Sequence, residues 1–142
     1  MAQTPDLGED RTIFGEGPYP DSGPLAVLAR LAFLAAVLAI VVAVFLPRWI
    51  VPQFTRSHYL EHFAAFYVAA LAGLAAMPRT QLRRLGSAYV VFALILESTH
   101  LFAGAPLRPL LDNAVADLGG LAAALAPVLV DRFRRRFPPR AG

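Results

Sequence analysis

The chain lacks cysteine and lysine and is poor in charge. None of its 142 residues is cysteine, and all 13 basic residues are arginine. The absence of cysteine excludes a disulfide framework and any cysteine-based metal site. Charged residues make up 16% of the chain, against about 25% in soluble domains. They are also clustered, so a soluble fold of this composition has too little polar material to cover its surface.

What the chain has instead is long apolar sequence, with 57% hydrophobic residues and a mean hydropathy of +0.55. Four apolar runs cover about residues 25–46, 59–77, 85–103 and 113–130. A helix of about 20 residues crosses a bilayer core of about 30 Å, and each run is near that length. The sequence therefore predicts an all-α, polytopic transmembrane bundle of four spanning helices, occupying residues 24–131.

The segments outside the bundle are polar and differ in charge. Residues 1–23 are rich in proline, glycine and acidic residues, have no apolar period and do not resemble a signal peptide. They are expected to form a disordered tail. Residues 132–142 form a basic tail. Arginines are concentrated there and in the second loop: Arg79, Arg83, Arg84, Arg132, Arg134, Arg135, Arg136 and Arg140. The positive-inside rule predicts a multi-pass cell-membrane protein with both termini cytoplasmic, and lipids rather than nucleic acid as its partners.

This orientation places most of the intramembrane polar residues in the outer half of the bundle. His58, Glu61 and His62 share one face of the second helix, because they are spaced i, i+3 and i+4. The same spacing pairs Glu97 with His100 on the third helix. Polar faces turn away from lipid, so a common outer pocket is predicted. The pocket candidates are His62, Glu97, His100, Arg108, Asp112 and Asp117.

Glu97 is the most informative of these residues, because it lies well inside an apolar helix. An intramembrane carboxylate needs a partner, for which Arg108, His62 and His100 are candidates. A functional site is one interpretation. A structural network that fixes helix register is an equally open one. Asp112 has a simple structural interpretation as the N-cap of the fourth helix, whereas Asp117 is too deep for a cap.

The order of these residues resembles the VanZ-like membrane proteins over about residues 49–125. The resemblance consists of an outer histidine with aromatic and small neighbours (His62 to Phe66), an acidic residue three before a polar one (Glu97 and His100), a following arginine (Arg108) and an Asp/Asn pair (Asn113 and Asp117) before Gly120. His100 stands where the family has glutamine. Asn113 and Asp117 look exchanged, unless Asp112 fills the first position.

The resemblance implies a bacterial inner-membrane protein of the cell envelope, in a family whose founding member is linked to resistance to the glycopeptide teicoplanin. It names no reaction. One hypothesis is therefore a pocket for an envelope or lipid-linked ligand, with Arg108 meeting an anionic group.

Two other hypotheses stay open. The first is an intramembrane enzyme that uses Glu97, His62 and His100 as acid, base or metal ligands. No nucleophile, phosphate-loop or metalloprotease motif supports it, and the sequence assigns no catalytic residue, metal or cofactor. The second is an architectural polar network in a protein that acts through homo-oligomers or other membrane proteins.

Overall fold

The computed structural model describes residues 23–47 and 49–137. These residues form four helices and no strand: α1 (Pro24–Phe45), α2 (His58–Ala76), α3 (Leu82–Phe102) and α4 (Leu107–Arg136). All four are long and apolar enough to cross a membrane. The predicted all-α, four-span architecture is confirmed. The expected N-terminal tail, up to residue 22, and residues 138–142 of the expected basic tail lie outside the described residues.

The helix ends follow from local sequence. Ser57 caps α2 by accepting a hydrogen bond from the Leu60 backbone N–H at 3.4 Å, as serine commonly does. Pro24 occupies the first turn of α1, where a missing N–H costs nothing.

α4 is longer at both ends than the predicted fourth span. It begins at Leu107 rather than at residue 113. Pro109 does not prevent this earlier start, because it falls in the first turn, where proline is tolerated. Asp112 therefore lies inside the helix, and the prediction that it forms the N-cap is wrong. α4 also continues through Pro127 to Arg136. Arginine is a good helix former, and cations suit the negative end of the helix dipole.

α2 and α4 form the closest pair in the bundle, α1 lies against α2, and α3 lies mainly against α4. Gly120 makes the close approach of α2 and α4 possible. A Cβ atom there would lie 2.2 Å from the Phe63 carbonyl oxygen, so no larger residue fits without separating the helices. The interface brings the backbone of α4 against the first turns of α2.

The apolar core lies among α2, α3 and α4, with α1 packed on its edge. Its buried members are Phe66, Ala69, Ala70, Leu85, Tyr89, Ala93, Leu96, Leu121 and Ala124. The Tyr89 hydroxyl donates a hydrogen bond to the Ala69 carbonyl oxygen. Gly73 leaves room for that hydroxyl, because a Cβ at Gly73 would lie 2.8 Å from it. The aromatic ring is thereby fixed between α2 and α3.

Candidate functional site

Three polar side chains meet at one end of the bundle. His62 comes from the second turn of α2, Glu97 from the end of α3 and Asp117 from the third turn of α4. Short connections between α2, α3 and α4 reverse the chain twice, so the start of α2, the end of α3 and the start of α4 lie at the same end. One ligand atom of each side chain lies within 4.8 Å of the other two. We call these three residues the outer cluster, after the orientation that the arginine distribution predicts.

The outer cluster is buried on the carboxylate side and more open on the histidine side. Asp117 is 1% exposed and Glu97 is 8% exposed, whereas His62 is partly exposed. Two carboxyl groups removed from water are expensive unless something pairs with them. Each of these buried carboxyl oxygens is therefore expected to have a polar partner.

Asp117 is satisfied by a histidine from another helix. His62 Nδ1 donates a hydrogen bond to Asp117 Oδ1 at 2.9 Å. The other ring nitrogen of His62 lies 3.1 Å from His58 Nε2, and the two imidazole rings meet edge to face with centroids 4.5 Å apart. This geometry fixes the orientation of His62 from both sides of its ring.

Polar contacts continue outward from His58 to the loop before α2. His58 Nδ1 lies 3.7 Å from Glu61 Oε2. Glu61 Oε1 accepts a hydrogen bond from the Thr55 backbone N–H at 3.3 Å. Hydrogen bonds and one longer His58–Glu61 contact therefore connect the exposed loop with the buried Asp117.

Glu97 differs from Asp117, because one of its oxygens has nothing to bind. Oε2 of Glu97 is buried and has no hydrogen-bond partner. The carboxyl group of Glu97 lies close enough to His62, Asp117 and His100 to interact with them electrostatically. The Asn113 side chain lies against the same carboxyl group. Buried polar atoms in native proteins are nearly always paired. An orphaned carboxyl oxygen on a member of the outer cluster is therefore a place where a ligand atom fits.

The other predicted site residues are placed differently. His100 lies near Glu97 and is partly buried. Arg108 and Asp112 are exposed on the first turns of α4. Within residues 23–47 and 49–137, no hydrogen bond or ion pair joins either of them to the outer cluster. Arg108 is thus at the correct end of the bundle but is not the partner of Glu97.

Sequence reasoning missed two members of the surroundings. His58 is exposed and was not among the pocket candidates, but its ring contacts His62, as its i, i+4 spacing allows. Asn113 was not among the pocket candidates either, although it precedes Asp117 by one helical turn. The depth of Gly120 in the α2–α4 interface could not be deduced from the sequence, because it depends on which helices touch.

The arrangement provides one imidazole, two carboxyl groups and an amide, a donor set suited to a cation, an amine or a hydrogen-bond donor. Comparison of the chain with known proteins finds no matching family model, no matching curated protein and no matching solved structure. The geometry of the site is therefore the main guide to function.

Proposed function

We propose that this chain is a VanZ-like membrane protein that binds a lipid-linked component of the bacterial cell envelope at the extracytoplasmic end of its bundle. The observation that carries the proposal is the buried, unpartnered Oε2 of Glu97 beside Asp117. A network that served only to lock helices would be stabilised by pairing every polar atom. The orphaned oxygen instead favours a site that is completed by a ligand.

The position of the site in the membrane supports the same proposal. With the arginine-rich second loop and C-terminal end of α4 in the cytoplasm, the outer cluster lies in the outer half of the membrane. A ligand held in the outer leaflet reaches this end of the bundle by lateral diffusion. Envelope components carried on a lipid anchor have that location.

Arg108 gives the ligand a second contact. It is exposed in the first turn of α4, at the same end of the bundle as the outer cluster. A guanidinium at headgroup depth is suited to bidentate binding of a phosphate. The proposed ligand thus places its phosphate against Arg108 and a polar group towards His62 and Glu97. A link to glycopeptide resistance is part of this proposal only through the VanZ-like resemblance.

Ligand-dependent thermal stability tests the proposal. Detergent-purified protein is heated with phosphatidylethanolamine, phosphatidylglycerol or a polyprenyl phosphate. Anything that binds the folded form raises its unfolding midpoint. We expect one phosphate-bearing lipid to stabilise the wild type, and the shift to be lost in Arg108→Ala and reduced in Glu97→Gln.

Arg56→Ala is the matched control, since Arg56 is exposed in the first loop, at the same end as Arg108. It should keep the full lipid-induced shift. An equal loss in Arg56→Ala and Arg108→Ala would indicate general charge attraction rather than a site. A wild type that none of the three lipids stabilises would contradict the proposal.

A further inference from the structure

The donor set of the outer cluster is that of a divalent metal site with three protein ligands. His62 contributes an imidazole nitrogen, and Glu97 and Asp117 each contribute a carboxyl oxygen. Imidazole with carboxylate is a combination found for zinc and other first-row metals, whereas calcium and magnesium prefer oxygen alone. Three protein ligands with one open position are typical of zinc sites that bind a water or a substrate.

The distances are compatible with such an ion. Ligands at about 2.0–2.1 Å from a tetrahedral zinc lie about 3.4 Å from one another. The His62 Nδ1 and Asp117 Oδ1 atoms are already 2.9 Å apart, and the largest separation in the cluster is within 4.8 Å. Small side-chain rotations therefore bring Glu97 to the same centre as the other two.

Charge balance and burial also favour a bound metal ion. A zinc ion bound by two carboxylates and a neutral imidazole has no net charge, which reduces the cost of placing the carboxylates inside a bundle surrounded by lipid. The same ion would also give Glu97 Oε2, which is buried without a hydrogen-bond partner, an atom to bind. One ligand thus accounts for both the buried pair and the orphaned oxygen.

The residues around His62 match what a metal-bound histidine requires. Such a histidine uses one ring nitrogen for the metal and donates the other N–H to a fixed acceptor. With Nδ1 of His62 on the metal, its Nε2–H donates to His58 Nε2, 3.1 Å away. His58 Nδ1–H then faces Glu61 Oε2. His58 and Glu61 are positioning residues for this ligand.

We propose that His62, Glu97 and Asp117 bind one zinc-class divalent metal ion and leave one coordination position open. The sequence alone assigned no metal, because the three residues are far apart along the chain and form no recognised metal motif. The inference concerns the same unpartnered Glu97 oxygen as the proposed function, to which it adds a metal that the lipid-linked ligand would meet at the open position. It is tested in the absence of any envelope lipid.

The experiment measures zinc binding to full-length protein purified through a tag that contains no histidine. The protein is stripped with a chelator and titrated with Zn²⁺ by calorimetry, and bound metal is counted by mass spectrometry. We expect one zinc per chain in the wild type and none in Asp117→Asn or Glu97→Gln. Cobalt substitution should give the visible absorption of a four-coordinate site in the wild type alone.

Two variants make the result specific. Asp131→Asn is the matched control, because Asp131 lies on the same helix but is exposed and paired with Arg135. It should bind zinc like the wild type. His58→Ala should keep one zinc per chain with affinity reduced by about 10- to 100-fold, as expected for loss of an outer-shell partner.

Several outcomes would overturn the inference. A wild type that binds no zinc would do so, as would unchanged binding in both Asp117→Asn and Glu97→Gln. Binding that survives in Glu97→Gln but is abolished in His58→Ala would indicate a surface histidine pair instead. If zinc binds and none of the lipids stabilises the protein, the metal site stands and the proposed function fails. If a lipid stabilises the protein and zinc does not bind, the proposed function stands and the metal site fails.

Discussion

α1 and α4 are both long enough to span a bilayer, yet they differ in what surrounds them. In α1 only Ala26 is buried, and the large apolar side chains from Val27 to Phe45 are mostly exposed in the isolated chain. α4 buries Leu110, Ala116, Asp117, Gly120, Leu121 and Ala124 between its neighbours. α1 therefore faces lipid on most sides, whereas α4 faces protein on one side.

The difference explains where polar residues are tolerated. α1 has no acidic residue, and its one charged residue, Arg30, lies in its second turn. α4 carries Asp117 in a position that lipid does not reach. An ionisable side chain within a membrane is expensive unless protein or water surrounds it. Protein neighbours, rather than hydropathy, thus decide which helix can hold a site.

The strongest test of this comparison places a charge on α1. Leu34 lies near the middle of α1 and is 59% exposed, so Leu34→Arg puts a guanidinium in lipid. We expect the apparent free energy of inserting α1 to become less favourable by about 3 kcal/mol. Measuring the inserted fraction of the segment checks this. Leu34→Ile should change it little, and an equally small effect of arginine would mean that protein covers Leu34.

A smaller effect is expected from closing the space between α2 and α4. Gly120→Ala places a Cβ against the Phe63 backbone oxygen, and overpacking of this kind costs about 1–3 kcal/mol. Gly119→Ala is the matched control, because its Cβ only touches the Phe63 ring at 3.4 Å. The free energy of unfolding, measured in mixed micelles, should fall for Gly120→Ala alone. Equal effects would show that the two helices are not held by the Gly120 contact.

Substitution of Tyr89 tests the protein-facing side of the helices with little change in packing volume. Tyr89→Phe removes the hydroxyl that donates to the Ala69 carbonyl, and the loss of such a hydrogen bond costs about 1 kcal/mol. Tyr67→Phe alters an exposed tyrosine of α2 and should have almost no effect. The same unfolding measurement compares the two. Equal free energies of unfolding for the two variants would show that the α2–α3 hydrogen bond does not contribute to stability.

The smallest effect is expected where α4 leaves the bundle. Asp131 and Arg135 form an exposed i, i+4 pair with 2.8 Å between Oδ2 and Nε. Pairs of this type contribute about 0.5 kcal/mol or less. Asp131→Asn should therefore leave the free energy of unfolding nearly unchanged. A large loss would mean that this end of α4 is more tightly integrated than its exposure indicates.

The sequence predicted the four spans because each is a predominantly apolar run of spanning length, and hydropathy acts locally along the chain. The span ends were less predictable. The start of α4 was expected near residue 113, but the helix begins at Leu107, and Pro109 fits its first turn. The polar residues that share a helix face were also predictable, because i, i+3 and i+4 spacings place side chains on one face.

What only the tertiary structure decided is which of those faces touch. His62, Glu97 and Asp117 lie on three helices, and their meeting depends on the closeness of α2 and α4 at Gly120. Arg108 and Asp112 have equally suggestive sequence positions but turn outward. Periodicity fixes the direction of a side chain about its own helix. The order, spacing and rotation of the helices arise from packing between distant segments, which no local pattern contains.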